Sequence, residues 1–162
     1  MGLHAARTIA ELAPAVRIAV LSEATRDLVP DFEALGMQIA FNDDPGRGLA
    51  SSLAIGVRAA LDHKVEAVLI CLADMPFVSP AHLRELLARL DRAGGVTMVG
   101  SRPAGSDTIM PPAVFAGAAI ARLLELEGDR GAGALLRHGP AVDAPPAELL
   151  DLDDQAAFDA LE

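Results

Sequence analysis

Asp74 is the residue of this sequence best placed to do chemistry. It follows an apolar run over 65–73 that only Glu66 interrupts, and Met75-Pro76 comes next. A short unbroken run of Val, Ile, Leu and Cys predicts a strand buried on both faces, as in a parallel sheet. Pro76 donates nothing to a sheet ladder and pushes Met75 into an extended shape, so the strand stops there. Ser79 then reads as the cap of a helix and Pro80 as its first-turn residue. The carboxylate of Asp74 thus falls just past the carboxyl end of a central strand, where open α/β sheets bind ligands. An acid at such a turn either solvates the strand end or serves a ligand. Ser79 already supplies the cap, which leaves Asp74 without an evident local duty.

Two other stretches suit an anionic ligand. Residues 42–48, NDDPGRG, form a loop expected between a strand and a helix. Gly46 and Gly48 let backbone approach a ligand closely, and the amino end of the helix offers N–H groups to anions. Ser51 and Ser52 stand in its first turn and add hydroxyls. The same residues also make an ordinary turn, in which Asp44-Pro45-Gly46 bends the chain. The loop lacks the Gly-Lys-Ser/Thr ending of a P-loop, which excludes that motif.

Near the carboxyl end, LLDLDDQ gathers Asp151, Asp153 and Asp154. Asp151 and Asp153 share a face if the segment is extended. A hard divalent cation held against phosphates takes one or two carboxylates, which Asp74 with Asp151 or Asp153 would provide. The alternative is an acidic helix start, where the dipole favours Asp. Gly128-Asp129-Arg130-Gly131 reads as a turn between helices. His4, His63, His82 and His138 lack metal-ligand spacing, and Cys71 inside the strand reads as a small core residue.

The elements that must position these groups alternate along the chain. Periodicity and punctuation predict helices over 3–12, 24–35, 49–61, 80–92, 118–127, 131–138 and 155–161. Strands are expected over 17–21, 37–41, 65–73, 96–100 and 109–115, with short ones at Val142 and over 149–152. Such alternation implies right-handed crossovers and a mostly parallel sheet with helices on both faces. The expected fold is an α/β, Rossmann-like three-layer sandwich with 68–72 at the sheet's centre, and one domain over 1–162.

Composition narrows the partners. The net charge is −10, which repels a phosphate backbone at long range, and aromatics are 3% with no Trp or Tyr to stack bases. Nucleic acid is therefore not an expected partner. No run reaches the ~20 apolar residues of a membrane helix, and the start reads as no secretory signal. Cys71 is the single cysteine, so no intrachain disulfide forms, which fits a reducing cytoplasm.

Taken together, these segments resemble the molybdenum-cofactor nucleotidyltransferases, the MobA-like NTP transferases, and most of all the branch that joins CTP to molybdopterin. GLASSLAIG is similar to the family's G-L/M-x-S-S-L-x-x-G, and VLICLADMPFVSPAHLREL to its strand, G/A-D-M-P-x-V/I-S/T-P and following helix. MPPAVF, LEGDRGAGALL and LLDLDDQAAF are similar to three later segments in the same order. The resemblance implies a nucleotidyltransferase domain that binds a nucleoside triphosphate, CTP rather than GTP. It further implies nucleotide contacts at Gly48, Ser51, Ser52 and Asp74, and a catalytic Mg²⁺ held by Asp74 and a carboxyl-terminal acid, Asp151 or Asp153. The implied reaction moves CMP onto a molybdopterin-like phosphate and releases pyrophosphate.

The departures lie at the amino end. The family opens with a strand and a Gly-rich loop, L-A-A-G-x-S-x-R-M/F-G, ending in Lys; this chain opens on LHAARTIAEL, similar to the helix after that loop, and its one lysine is Lys64. Relative to the family, the chain thus reads as truncated at its amino end. Gly133 stands where the family carries Arg, Met110-Pro111 where it carries Gly-His/Asn, and Gln155-Ala156-Ala157 where it carries Pro-Glu-Asp. The family's first strand lies between the counterparts of 17–21 and 65–73, so these two edges are expected to pair directly or to join a homodimer. The alternative function is that of a degenerate homologue that binds a nucleotide or a partner without catalysis.

Overall fold

The computed structural model describes residues 2–92 and 94–152. Asp153, Asp154 and the helix expected over 155–161 lie outside the described residues.

The chain starts in a helix, α1 (Gly2–Glu11), followed by strand β1 (Ile18–Leu21). The single helix expected over 24–35 is instead a 3-10 turn, Glu23–Leu28, followed by α2 (Val29–Ala34). Pro30 explains the break: lacking an N–H, it stands in the first turn of α2 rather than inside a longer helix. Next come β2 (Gln38–Phe41), α3 (Leu49–Leu61), β3 (Ala67–Ile70) and α4 (Pro80–Arg92). The second half holds β4 (Met98–Pro103), β5 (Met110–Ala116), α5 (Ala118–Leu123), α6 (Gly133–Leu136) and β6 (Ala141–Ala144). Residues 149–152 form no strand; a 3-10 turn, Pro146–Leu149, precedes an extended tail.

The strands form two sheets: β1 pairs β2 in parallel, and the other four lie in the order β3-β5-β4-β6. β5 runs against both of its neighbours, while β6 is parallel to β4, so β3, β4 and β6 share one direction. The centre is therefore β5, whose Ala113, Val114 and Phe115 are all fully buried. This corrects the expectation that 68–72 is central and buried on both faces. β3 is an edge of its sheet, and its pattern runs from exposed Ala67 to buried Ile70. Pro111 and Pro112 are tolerated inside β5 because they fall where its register with β4 shifts, between Val99 and Ser101.

Helices cover both faces, giving three layers. Val57, Ile70, Phe115, Ile120, Leu123 and Leu136 join α3, α5 and α6 to one face of the larger sheet. On the other face, Leu83 and Leu86 of α4 pack with Val99, Val114 and Ala144. A third cluster, Ala6, Ala19, Leu21, Phe32 and Met37, holds α1 and α2 against the small sheet.

β1 and β3 do not pair, contrary to the direct pairing expected of them. Between them lies a cavity of about 490 Å³, walled by residues of both strands. The helices that cover both faces, α1 with Ala6 and Ile9 and α3 with Leu53 and Val57, hold the two sheets at this spacing.

Candidate functional site

The acidic end of the site is built by a short chain of local decisions. β3 ends at Ile70, and Asp74 sits in the turn that follows, half-buried. Met75 and Val78 anchor the turn in the core at 1% and 7% exposure. Ser79 then caps α4, its Oγ accepting the His82 N–H at 3.2 Å. The same hydroxyl donates to Glu148 Oε2 at 2.8 Å, and the Ser79 N–H donates to that oxygen at 3.3 Å. Glu148 lies in the 3-10 turn after β6, so this clamp fastens the tail of the chain to the start of α4. Leu149 and Leu152 are buried beyond it, and the Leu152 N–H donates to the Asp74 carbonyl at 2.9 Å. Asp151, exposed, is thereby set next to Asp74 although the two are far apart in sequence. Asp153 lies outside the described residues.

The other end of the site starts where β2 stops. Asn42 is buried and satisfied on both sides of its amide: Nδ2 donates to Ser51 Oγ at 2.8 Å and to Ser52 Oγ at 2.9 Å, and Oδ1 accepts the Asp44 N–H at 3.0 Å. Ser51 Oγ in turn donates to the Gly48 carbonyl at 2.8 Å. The hydroxyl proton of Ser51 is thus spent inside the loop, whereas Ser52 accepts from Asn42 and keeps its own proton for another acceptor.

Gly48 has φ +89°, and a Cβ there would come within 2.5 Å of the Gly128 backbone and 2.6 Å of Asp129 Oδ1. Glycine is required because the Gly128-Asp129 turn lies directly on it. The Ala50 N–H donates to the Gly128 carbonyl at 3.0 Å, so part of the amino end of α3 is capped by that turn. Two sequence motifs that looked independent, around Gly48 and around Gly128, are two sides of one contact.

The cavity between the sheets joins the two ends. It is lined by Leu49 and Ser52 on one side and by Leu72 and Ala73, next to Asp74, on the other. Cys71 also lines it; burial pushes its thiol up to about 12, so it stays protonated and unreactive. His82 is not a proton shuttle for the site. Its Nε2 lies 2.7 Å from Ser101 Oγ, which donates onward to the Pro112 carbonyl at 2.6 Å. With the serine proton committed, His82 is the donor in the first bond. Burial lowers its pKa, which keeps it neutral. Arg102 is held at the surface by Asp143, 2.6 Å away.

Asp74 and Asp151 carry carboxylates, the ligand type a hard divalent cation takes, and the Leu152 N–H bond to the Asp74 carbonyl brings their backbones together. Among the described residues, no group of three or more His, Cys, Asp or Glu is arranged to hold a metal. Any ion here would take one or two carboxylates and complete its shell with phosphate oxygens and water.

Sequence reasoning singled out Asp74, Gly48, Ser51, Ser52 and Asp151. It passed over Asn42, which bonds both serines, and Glu148, which bonds Ser79. Asn42 carried one signal, a buried-type amide at a strand end; Glu148 carried none, because its partner is far away in sequence.

Solved structures share this architecture. A homologue of the Mycobacterium tuberculosis protein Rv0371c, from a Mycobacterium species, superposes with a TM-score of 0.75 at 25% identity, covering 96% of this chain and 79% of that one. Rv0371c of M. tuberculosis in its manganese complex gives 0.68 at 22% identity, covering 98% and 84%. Molybdopterin-guanine dinucleotide biosynthesis protein A of Archaeoglobus fulgidus gives 0.62 at 16% identity, covering 98% and 83%. No curated protein matches the chain. The family model of the MobA-like NTP transferase domain matches residues 3–144. The chain, with its acid after β3 and its glycine-serine turn before α3, belongs to that family and is a nucleotidyltransferase-type domain.

Proposed function

We propose that this chain is one cytoplasmic domain that binds CTP with Mg²⁺ and carries the site for transfer of CMP to a molybdopterin-like phosphate. The observation that supports the reading is the Leu152–Asp74 hydrogen bond, which brings the backbone that follows Asp151 to the Asp74 carbonyl. Asp74 and Asp151 are the residues that would hold the ion, with Asp153 as a further candidate. Gly48, Ser51 and Ser52 form the end that meets the nucleoside. The manganese complex of the mycobacterial protein supports divalent-metal use at a site of this fold. The serine pair after Gly48 supports CTP over GTP by its likeness to the cytidine branch.

In the proposed reaction, an oxygen of the acceptor's terminal phosphate attacks the α-phosphorus of CTP. The new P–O bond forms as the bond to the bridging oxygen breaks, and pyrophosphate leaves with that electron pair. A phosphate monoester has a second pKa of about 6, so the attacking oxygen is already anionic at neutral pH and needs no general base. Cys71, which lines the cavity, and His82 in α4 are both kept neutral by burial. A bound divalent ion would neutralise charge on the phosphates. What remains for the protein is positioning: Asp74 is fixed by its turn, and Ser52 offers a hydroxyl proton to a nucleotide oxygen.

A second reading, nucleotide binding without turnover, is favoured by the capping of α3. Its Ala50 N–H is already bonded to Gly128, and no glycine-rich clamp for the triphosphate occurs among the described residues. Charge-neutralising clamps carry orders of magnitude in rate. Calorimetry with CTP and GTP, with and without Mg²⁺, together with pyrophosphate release, separates the readings. The 162-residue chain is expected to bind CTP more tightly than GTP in a Mg²⁺-dependent way that Asp74→Asn removes, and to release little pyrophosphate. Binding unaffected by Asp74→Asn would sink the site assignment. Robust release abolished by Asp74→Asn would reject the silent reading.

A further inference from the structure

We infer that Asp129 is a nucleoside-binding residue: its carboxylate stands over the start of α3 and accepts hydrogen bonds from the neutral part of the nucleotide, the ribose hydroxyls or the cytosine amino group. The inference rests on the proposed placing of the nucleoside at Gly48, Ser51 and Ser52.

The position of this carboxylate is fixed by packing between segments far apart in sequence. A Cβ at Gly48 would lie 2.6 Å from Asp129 Oδ1 and 2.5 Å from the Gly128 backbone. Only glycine lets the turn come this close to the helix start. The Leu49 side chain lies on Gly131, where a Cβ would stand 2.7 Å from its Cδ2. The Ala50 N–H bond to the Gly128 carbonyl, at 3.0 Å, pins the turn at a third point. Asp129 is thereby held at the same helix end as the two serines.

These contacts decide which part of a nucleotide this end takes. A helix start offers free N–H groups to anions, but several here are committed. The Gly48 N–H donates to the Pro45 carbonyl at 3.1 Å, Ala50 to Gly128 at 3.0 Å, and Ser51 to Gly48 at 3.1 Å. A carboxylate beside them repels a phosphate. Among the described residues, no hydrogen-bond donor or ion-pair partner is bound to the Asp129 side chain. A carboxylate is an acceptor only, so its match in a ligand is a neutral donor.

The groups around it complete the match. Ser52 stands one helical turn after Gly48 and accepts from Asn42, which leaves its hydroxyl proton for a ligand acceptor. Leu49, 43% exposed, adds an apolar surface at the same end. An apolar surface with a few placed polar groups is the usual lining of a small-molecule site. A nucleoside has the complementary parts: a flat base with ring acceptors, and donors in its diol and in the amino group of cytosine. A phosphate offers acceptors alone, which suits Ser52 and not Asp129. The triphosphate therefore points away from Asp129.

The test is titration of the 162-residue chain and of two variants, Asp129→Ala and Asp129→Asn, followed by amide resonances. The probes are cytidine, 2′,3′-dideoxycytidine, uridine and inorganic triphosphate. Asp129→Ala is expected to weaken cytidine binding at least about tenfold, the contribution of a hydrogen bond to a charged group. Asp129→Asn keeps the shape of the turn and removes the charge, and it is expected to weaken cytidine in the same sense. Neither is expected to weaken inorganic triphosphate or to change exchange at the Ala50 amide. An effect lost with dideoxycytidine assigns the partner to the ribose, and one lost with uridine assigns it to the amino group. An effect that persists in full with both probes overturns the inference, as does cytidine affinity unchanged in Asp129→Ala. An Asp129→Asn chain that binds like the parent also overturns it, because shape rather than charge would then be at work. So does a parent chain that binds no cytidine. A preference for GTP over CTP with the Asp129 effect intact breaks the CTP reading and supports this one.

Discussion

The two sheets of this molecule are held in opposite ways. The four-stranded sheet is a core in the full sense: Val99, Ala113, Val114 and Phe115 have no exposure, and helices seal both faces. The β1–β2 sheet owes its place to α1, α2 and α3, with a cavity where a neighbouring strand would add hydrogen bonds and packing. The acidic end of the site is built on the first sheet and the serine end on the second. The comparison teaches that one half of the site rests on rigid packing and the other on helices bridging a gap.

The sharpest way to break this comparison is to truncate the matching phenylalanines. Phe115→Ala is expected to cost ~3–5 kcal/mol in urea unfolding, the range for a sealed aromatic. Phe32→Ala, in a residue that lines the cavity, is expected to cost less than half as much. Equal losses would mean that both sheets are equally well packed.

Next in size is Gly48→Ala. The new methyl group collides with the Gly128 backbone, and the backbone is held at φ +89°. The expected cost is ~1–3 kcal/mol, with loss of exchange protection at the Ala50 amide. A silent substitution would show that the Gly128 turn gives way easily. A smaller effect, ~1 kcal/mol, is expected from Ser79→Ala, which removes a helix cap and the anchor of Glu148. Under the proposed ion site, its signature is a drop in Mg²⁺-dependent nucleotide affinity, because the 146–149 turn ahead of Asp151 loses its bond to Ser79. Loss of stability with unchanged affinity would separate the cap from the site.

The smallest effect is a pH dependence. Burial lowers the pKa of His82 below its ordinary 6.5, while the carboxylates of Glu148 and Glu85 act against the shift. Between the lowered value and 6.5 the unfolded chain binds more protons than the folded one. Stability is therefore complete above pH 6.5 and declines as pH falls through the folded-state value. His82→Gln is expected to flatten that part of a thermal-midpoint profile. A profile with the same slope in both chains would clear His82 of the effect.

Some of this architecture is written locally. The helices over Leu49–Leu61 and Pro80–Arg92 keep the bounds read from their glycine, serine, proline and arginine punctuation, because caps and apolar spacing act within a few residues. Asp74 after a strand, and glycine with serines opening a helix, were legible for the same reason. The 24–35 segment was not, since Pro30 could equally interrupt a helix or begin one.

What the sequence determined alone, then, is most of the described helices and strands, the residue types at their ends and the family resemblance they carry. Only the tertiary structure decided that β5 rather than β3 is central, because an apolar run is the same whether or not a neighbour pairs with its far edge. It decided that Glu148 reaches Ser79, that the Leu152 N–H meets the Asp74 carbonyl, and that Gly128 lies on Gly48. It also left β1 and β3 on opposite sides of a cavity. Each of these rests on hydrogen bonds or contacts between residues distant in the chain, and such pairings leave no period or punctuation for a sequence to display.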